Sequence, residues 1–161
     1  MAARFSRKSI NAEHVEIIRS IVPDGSKLLE LGSGDGTKYL AEHFRMTSVE
    51  DDPAFLNKHD STYVHAPIVQ GCPLGTWYSP DVIRSIPRDY DAILVDGPSY
   101  RASLGRLGFW VFHGLFNTDV PIFVDDVNSE MERMTMVLTA WSLRRPYTVH
   151  RTETQDFGVI E

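Results

Sequence analysis

A short apolar run ending in three closely spaced glycines constrains this chain more than any other segment. Lys27 to Leu31 has the length and composition of a buried strand, and Leu28 to Gly36 reads Leu-Leu-Glu-Leu-Gly-Ser-Gly-Asp-Gly. Glycine lets the backbone turn tightly and lets a ligand approach where a Cβ would otherwise stand. The segment predicts a strand that turns at once into a helix, with Gly32, Ser33, Gly34 and Gly36 as candidate ligand contacts. A tight turn that holds no ligand is the plainer alternative.

The hydrophobic pattern elsewhere alternates between helical and strand periods. Asn11 to Val22 sets Val15, Ile18, Ile21 and Val22 on one helical face before Pro23-Asp24-Gly25 stops it. Thr37 to Phe44 reads as a helix, Met46 to Val49 and Thr62 to His65 as strands, and Pro67 to Pro80 as a loop. Asp91 to Val95 and Val120 to Val124 are continuous apolar runs, as in buried parallel strands. Helices are expected over Ser103 to Phe116 and along the stripe Met131, Met134, Leu138 and Trp141. The last two strands, Tyr147 to Thr152 and Phe157 to Ile160, are too close for a helical crossover and should pair antiparallel. Alternating strands and helices imply an α/β, Rossmann-like, doubly wound and mostly parallel sheet with helices on both faces. Ligands on such a sheet bind beyond the carboxyl ends of the strands.

A chain of 161 residues fits one domain. Its 42% hydrophobic and 24% charged residues suit a globular core. No apolar run approaches the roughly 20 residues of a membrane helix. The single Cys72 has no partner for a disulfide or a zinc site, and Met1 to Lys8 has no apolar stretch behind its basic residues. A soluble, cytoplasmic protein is the expectation. A net charge of −6 argues against a nucleic-acid partner, and the pairs Arg101/Arg106 and Arg144/Arg145 read as solvated surface or helix-end charge.

Charge decides what the glycine turn can hold. A dinucleotide fingerprint would place glycine at position 37, which is Thr37. Such sites set a pyrophosphate on the helix N-terminus, where Glu30 and Asp35 would repel it. A cationic ligand such as S-adenosylmethionine (SAM) would be attracted instead. Glu50, ending the second strand, is a candidate acceptor for both hydroxyls of a ribose. Asp51 and Asp52 stand close enough to share the role, and Asp52 before Pro53 can instead cap a short helix.

Glu-x-Gly-x-Gly-x-Gly after a first strand, with an acid ending the second, resembles the class I SAM-dependent methyltransferase family. The resemblance implies a seven-stranded sheet with an antiparallel last strand. It also implies Glu30 and Gly32 near the methionine moiety and Glu50 on the ribose. His65, ending the third strand, falls beside the implied adenine position; an ordinary half-buried histidine is the alternative.

A second acidic constellation follows the fourth and fifth main strands, in Val95-Asp96-Gly97-Pro98 and Val124-Asp125-Asp126-Val127. Carboxylates so placed are costly together unless a cation or proton offsets their repulsion. Oxygen ligands without Cys or paired His suit Mg2+ or Mn2+. Asp96 can instead open an Asp-Gly-Pro-Ser turn, and adjacent strand residues point to opposite faces, so one of Asp125 and Asp126 can face away. A cap role for this pair is weakened by Ser129 and Glu132, which spell a capping box. The arrangement resembles the metal-dependent O-methyltransferases that modify sugars. That resemblance implies Asp96, Asp125 and Asp126 as metal ligands, with Asp96 as catalytic base and in contact with the cofactor.

Trp77 and Tyr78 can stack on adenine, close over substrate, or anchor their loop on the core. The Asn-Pro-Pro-Tyr type signature of amino-group methyltransferases is absent, which favours oxygen as acceptor. The expected activity is transfer of the SAM methyl to a hydroxyl of a sugar-like or small polar acceptor. The rivals are a non-catalytic SAM-fold module that binds a partner protein, and a nicotinamide oxidoreductase. No sequence remains for a lid, so a homo-oligomer is expected, with the Pro67 to Pro80 loop or the helix of Phe109 and Trp110 as contact surface.

Overall fold

The computed structural model describes residues 10–98 and 101–161; Met1 to Lys8 and Ser99 of the expected turn lie outside the described residues. Nine strands and five α-helices are assigned among them. In chain order they are α1 (Ala12–Ile21), β1 (Lys27–Leu31), α2 (Asp35–Ala41), β2 (Arg45–Glu50), β3 (Thr62–His65), β4 (Ile68–Cys72) and β5 (Gly75–Tyr78). Then come α3 (Pro80–Ser85), β6 (Ala92–Val95), α4 (Leu107–Phe112), β7 (Ile122–Val124), α5 (Glu130–Leu143), β8 (Tyr147–Arg151) and β9 (Asp156–Ile160).

Seven strands form one sheet in the order β3-β2-β1-β6-β7-β9-β8. The pairs β1/β2, β2/β3, β1/β6 and β6/β7 are parallel, whereas β9 runs antiparallel to both β7 and β8. The chain winds outward from β1 to β3 and then returns to the other side of β1 with β6. Between β1 and β6 lies the switch point, where a crevice opens at the carboxyl ends of the strands.

Side-chain alternation along each strand builds two apolar layers. Leu29, Leu31, Val49, Ile93, Val95, Ile122 and Val124 pack on the α3–α5 side. Leu28, Met46, Ala92, Leu94 and Phe123 pack on the side of α1 and α2. Continued by one residue, the same period sends Glu50, Asp96 and Asp125 toward the α1/α2 face, where Glu30 already lies. The acids therefore share a face because each strand reaches its last apolar residue in the same phase.

α1 is fixed beside this face by its N-cap. Asn11 Oδ1 accepts from the backbone of Glu13 and His14 at 2.9 and 3.2 Å, and His14 Nδ1 accepts from Asn11 N–H in return. The Asn11 amide also donates to Thr154 Oγ1 at 2.7 Å, on the turn before β9. Asn11→Ala is expected to lower stability by about 1 kcal/mol, read as an earlier midpoint in urea. An unshifted midpoint would show that the cap contributes nothing measurable.

Three local expectations need correction. Pro67 to Pro80 is a hairpin of β4 and β5 rather than a loop. Its Trp77 stacks on Phe112 with ring centroids 5.1 Å apart, so Trp77 and Tyr78 are wholly buried anchors, not adenine or subunit contacts. Phe109 is equally buried. The expected long helix shrinks to α4 and a following 3-10 turn, His113–Leu115. The capping box at Ser129 is not formed: its hydroxyl donates to the Glu132 carboxylate, and no side-chain bond caps the backbone. Large exposed apolar side chains lie instead on α5 (Met131, Met134, Val137, Trp141) and on edge strand β8 (Tyr147, Val149).

Candidate functional site

The glycine turn between β1 and α2 forms the floor of a cleft at the switch point. Gly32 has φ of +89°, and a Cβ there would stand 2.8 Å from the Cα and N of Gly97. Two loops, one after β1 and one after β6, thus touch backbone to backbone, which only glycine permits on both counts. A cleft of about 340 Å3 opens beside this contact, lined by Gly32, Ser33, Glu50, Asp52, Phe55, Asp96, Gly97 and Arg101. That size suits a small ligand.

Glu50 is the best-supported carboxylate in the cleft. Its Oε2 accepts from Ser33 N–H at 2.9 Å and its Oε1 from Asp52 N–H at 2.8 Å. These bonds tie the end of β2 to the glycine turn, while burial raises the pKa of the carboxyl against their pull. Each oxygen keeps a further lone pair for a ligand hydroxyl. Asp52 also caps the 3-10 turn Pro53–Phe55 by accepting from Ala54 N–H at 3.0 Å. Its Oδ2 meets Arg101 at 2.9 Å, an ion pair joining the loops after β2 and β6 at the cleft.

Glu30 lies beneath the turn and outside the cleft lining. It is buried on the α2 side, where Thr37 Oγ1 donates to it at 2.9 Å and Ser48 Oγ at 2.7 Å. Burial pushes its carboxyl up to about 7, against the pull of the Ser48 and Thr37 hydroxyls. Thr37 also accepts from Gly34 N–H at 3.1 Å, so Glu30 props the turn from below. Gly36 serves packing: a Cβ there would lie 2.6 Å from Cβ of Ile10. Gly34, Asp51 and His65 are likewise outside the lining, with His65 Nε2 3.3 Å from the carbonyl oxygen of Asp51.

Asp96 enters the cleft from the end of β6, and sequence reasoning missed its partner. Arg106, on the turn before α4, donates from Nη2 to Asp96 Oδ1 at 2.6 Å. Its Nη1 donates to Asp125 O at 2.9 Å and Asp126 Oδ2 at 3.2 Å. Asp125 Oδ2 and Glu132 Oε1 stand farther off, at 3.9 and 4.0 Å. Burial and the neighbouring Asp125 push the Asp96 carboxyl up, and Arg106 opposes them. Asp125 is wholly buried, held at Oδ1 by Gln155 Nε2 at 2.6 Å, while Oδ2 has no hydrogen-bond partner. Asp126 adopts a left-handed backbone, φ +59°.

The three aspartates therefore gather as expected, but they do not fit a divalent ion as they stand. Among the described residues no group of three or more His, Cys, Asp or Glu side chains is arranged to hold a metal. The guanidinium stands among the carboxylates as their counter-charge, and the Asp96 carboxyl also meets that of Asp125 directly. His14 is a second missed neighbour. Its buried ring stacks on Phe157 at 4.7 Å, and burial lowers its pKa, leaving it the neutral acceptor that Asn11 needs.

No family model and no curated protein matches the chain. Solved structures do. A methyltransferase-like protein from Silicibacter pomeroyi is 21% identical, with a TM-score of 0.56 over 93% of this chain and 86% of its own. A methyltransferase from Pyrococcus furiosus is 15% identical, with a TM-score of 0.58 over 92% of this chain and 80% of its own. A methyltransferase from Podospora anserina, bound to S-adenosylhomocysteine (SAH), is 13% identical, with a TM-score of 0.53 over 100% of this chain and 79% of its own. The fold is that of the class I methyltransferases. In this methyltransferase fold the cleft lies at the switch point, beside Gly32, Glu50 and Asp96. No helix among the described residues is long and apolar enough to cross a membrane.

Proposed function

We propose that the protein is a SAM-dependent methyltransferase acting on an oxygen of a small polar, sugar-like acceptor. The observation that carries this reading is one cleft holding Gly32, Glu50 and Asp96 at the switch point of a methyltransferase sheet. The Gly32–Gly97 contact keeps the floor free of Cβ atoms, so a ligand can lie against backbone. SAM supplies a methyl group that leaves its sulfonium for the acceptor oxygen. Glu50 accepts hydrogen bonds from the ribose hydroxyls, and Ser33 N–H fixes Glu50 for that task. Asp96 in its ionised form takes the proton of the acceptor hydroxyl, and Arg106 favours that ionised form. The remaining contribution is proximity and orientation in the cleft.

A nicotinamide site is disfavoured by the buried carboxylate of Glu30 beneath the turn and by Thr37 at the third glycine position. Calorimetric titration with SAH and with NADH separates these readings. Saturable SAH binding with no NADH heat is expected; the reverse result would discard the methyltransferase assignment. A non-catalytic SAM-binding module would bind SAH but transfer no methyl group across a panel of polyols, sugars and phenols.

A further inference from the structure

The acidic cluster at the ends of β6 and β7 needs a cation, and the chain provides one. We propose that Arg106 is a built-in counter-cation standing where a divalent metal would otherwise be needed, and that removing Arg106 exposes a latent divalent-cation site. Its readout is metal binding, so it does not depend on which acceptor the cleft takes.

Four carboxylates surround one guanidinium. Arg106 reaches Asp96 Oδ1 at 2.6 Å, Asp126 Oδ2 at 3.2 Å, Asp125 Oδ2 at 3.9 Å and Glu132 Oε1 at 4.0 Å. Its side chain is only 11% exposed. Guanidinium is planar, permanently charged and able to donate in several directions at once, so it can bridge carboxylates from separate loops without giving up charge. Asp125 Oδ2 is the independent sign that the cluster suits a stronger cation. It is fully buried, stands 3.9 Å from Arg106 and accepts from no N–H or hydroxyl donor, although Asp125 also meets the Asp96 carboxyl. A long-range ion pair leaves that oxygen underused, whereas a divalent ion in the same place would coordinate it directly. Asp126 and Glu132 are partly exposed, at 25% and 20%, and have room to draw inward once the guanidinium is gone.

Arg106 acts on the cleft through Asp96, which makes it a positioning residue. It fixes one carboxylate oxygen of Asp96 by a charge-assisted bond.

Electron paramagnetic resonance of Mn2+ tests the proposal directly. The wild-type protein is expected to leave the free-ion signal unchanged, and Arg106→Ala to remove one Mn2+ per chain. Arg106→Ala combined with Asp126→Asn should lose most of that uptake, and Arg106→Lys should behave as wild type because a cation remains. Stoichiometric Mn2+ binding by the wild type that is lost in Asp126→Asn would overturn the proposal, as would a folded Arg106→Ala variant that takes up no ion. If Arg106→Ala unfolds, a melting temperature restored by Mn2+ supports the latent site, and one indifferent to Mn2+ counts against it. SAH titration of each variant is run alongside, so that damage to the cofactor cleft is distinguished from a change at the cluster.

Discussion

Glu30→Gln is expected to stabilise the protein by up to about 3 kcal/mol at pH 8 and to change little at pH 4. The carboxyl sits under the glycine turn with its folded pKa raised from 4.5 to about 7. An acid whose folded pKa exceeds its unfolded value binds its proton more tightly in the folded state. The stability it contributes is thus complete below pH 4.5, and it is lost as pH rises through the folded value near 7. Glutamine stays neutral throughout and escapes that loss. The hydroxyls of Thr37 and Ser48 can rotate to serve an amide, though an imperfect fit will reduce the gain. Urea melts of both proteins at pH 4 and pH 8 check this. A difference that is the same at both pH values would mean that packing, and not ionisation, governs the position. The result also bears on function, because a cation held above the turn would favour the ionised form and offset part of its cost.

Removing the Glu50 carboxylate should weaken SAH binding roughly ten- to a hundredfold, the worth of a hydrogen-bonding pair with one charged partner. Glu50→Ala takes away the ribose acceptor and also frees Ser33 N–H and Asp52 N–H, which now bond to its two oxygens. Loop damage and ligand loss must therefore be told apart. Glu50→Gln keeps one acceptor oxygen and the side-chain volume but sets its amide NH2 against one of the two backbone N–H groups, so it should fall between wild type and alanine in both affinity and melting temperature. Calorimetry with SAH gives the affinities, and thermal unfolding gives the control. Affinity unchanged in Glu50→Ala would remove this residue from the cofactor site and leave Asp52 as the acid beside the ribose position.

The order of elements was legible because each carries its own local signal. Lys27 to Leu31, Asp91 to Val95 and Val120 to Val124 are apolar runs with turn residues at their ends, and the short connection before β9 forces an antiparallel pairing. The hairpin of β4 and β5 was hidden. Pro67, Gly71, Pro73, Gly75 and Pro80 punctuate it like a loop, and it is held by burial of Trp77 against Phe112, a contact that joins distant parts of the chain.

Sequence alone determined that acids follow the strands and that glycines follow β1, since both are matters of order along one chain. It could not divide the acids among roles. Glu30, Glu50, Asp96 and Asp125 share one sheet face, yet Glu50 and Asp96 line the cleft while Glu30 and Asp125 are buried behind it. Depth behind the surface depends on which helix covers the strand end: α2 closes over Glu30, and α1 with Gln155 closes over Asp125. The cation that the aspartates require was equally out of reach. Nothing in the spacing of Arg106 from Asp96, Asp125 and Asp126 marks it as their partner, because that pairing exists only where the turn before α4 folds back over the ends of β6 and β7.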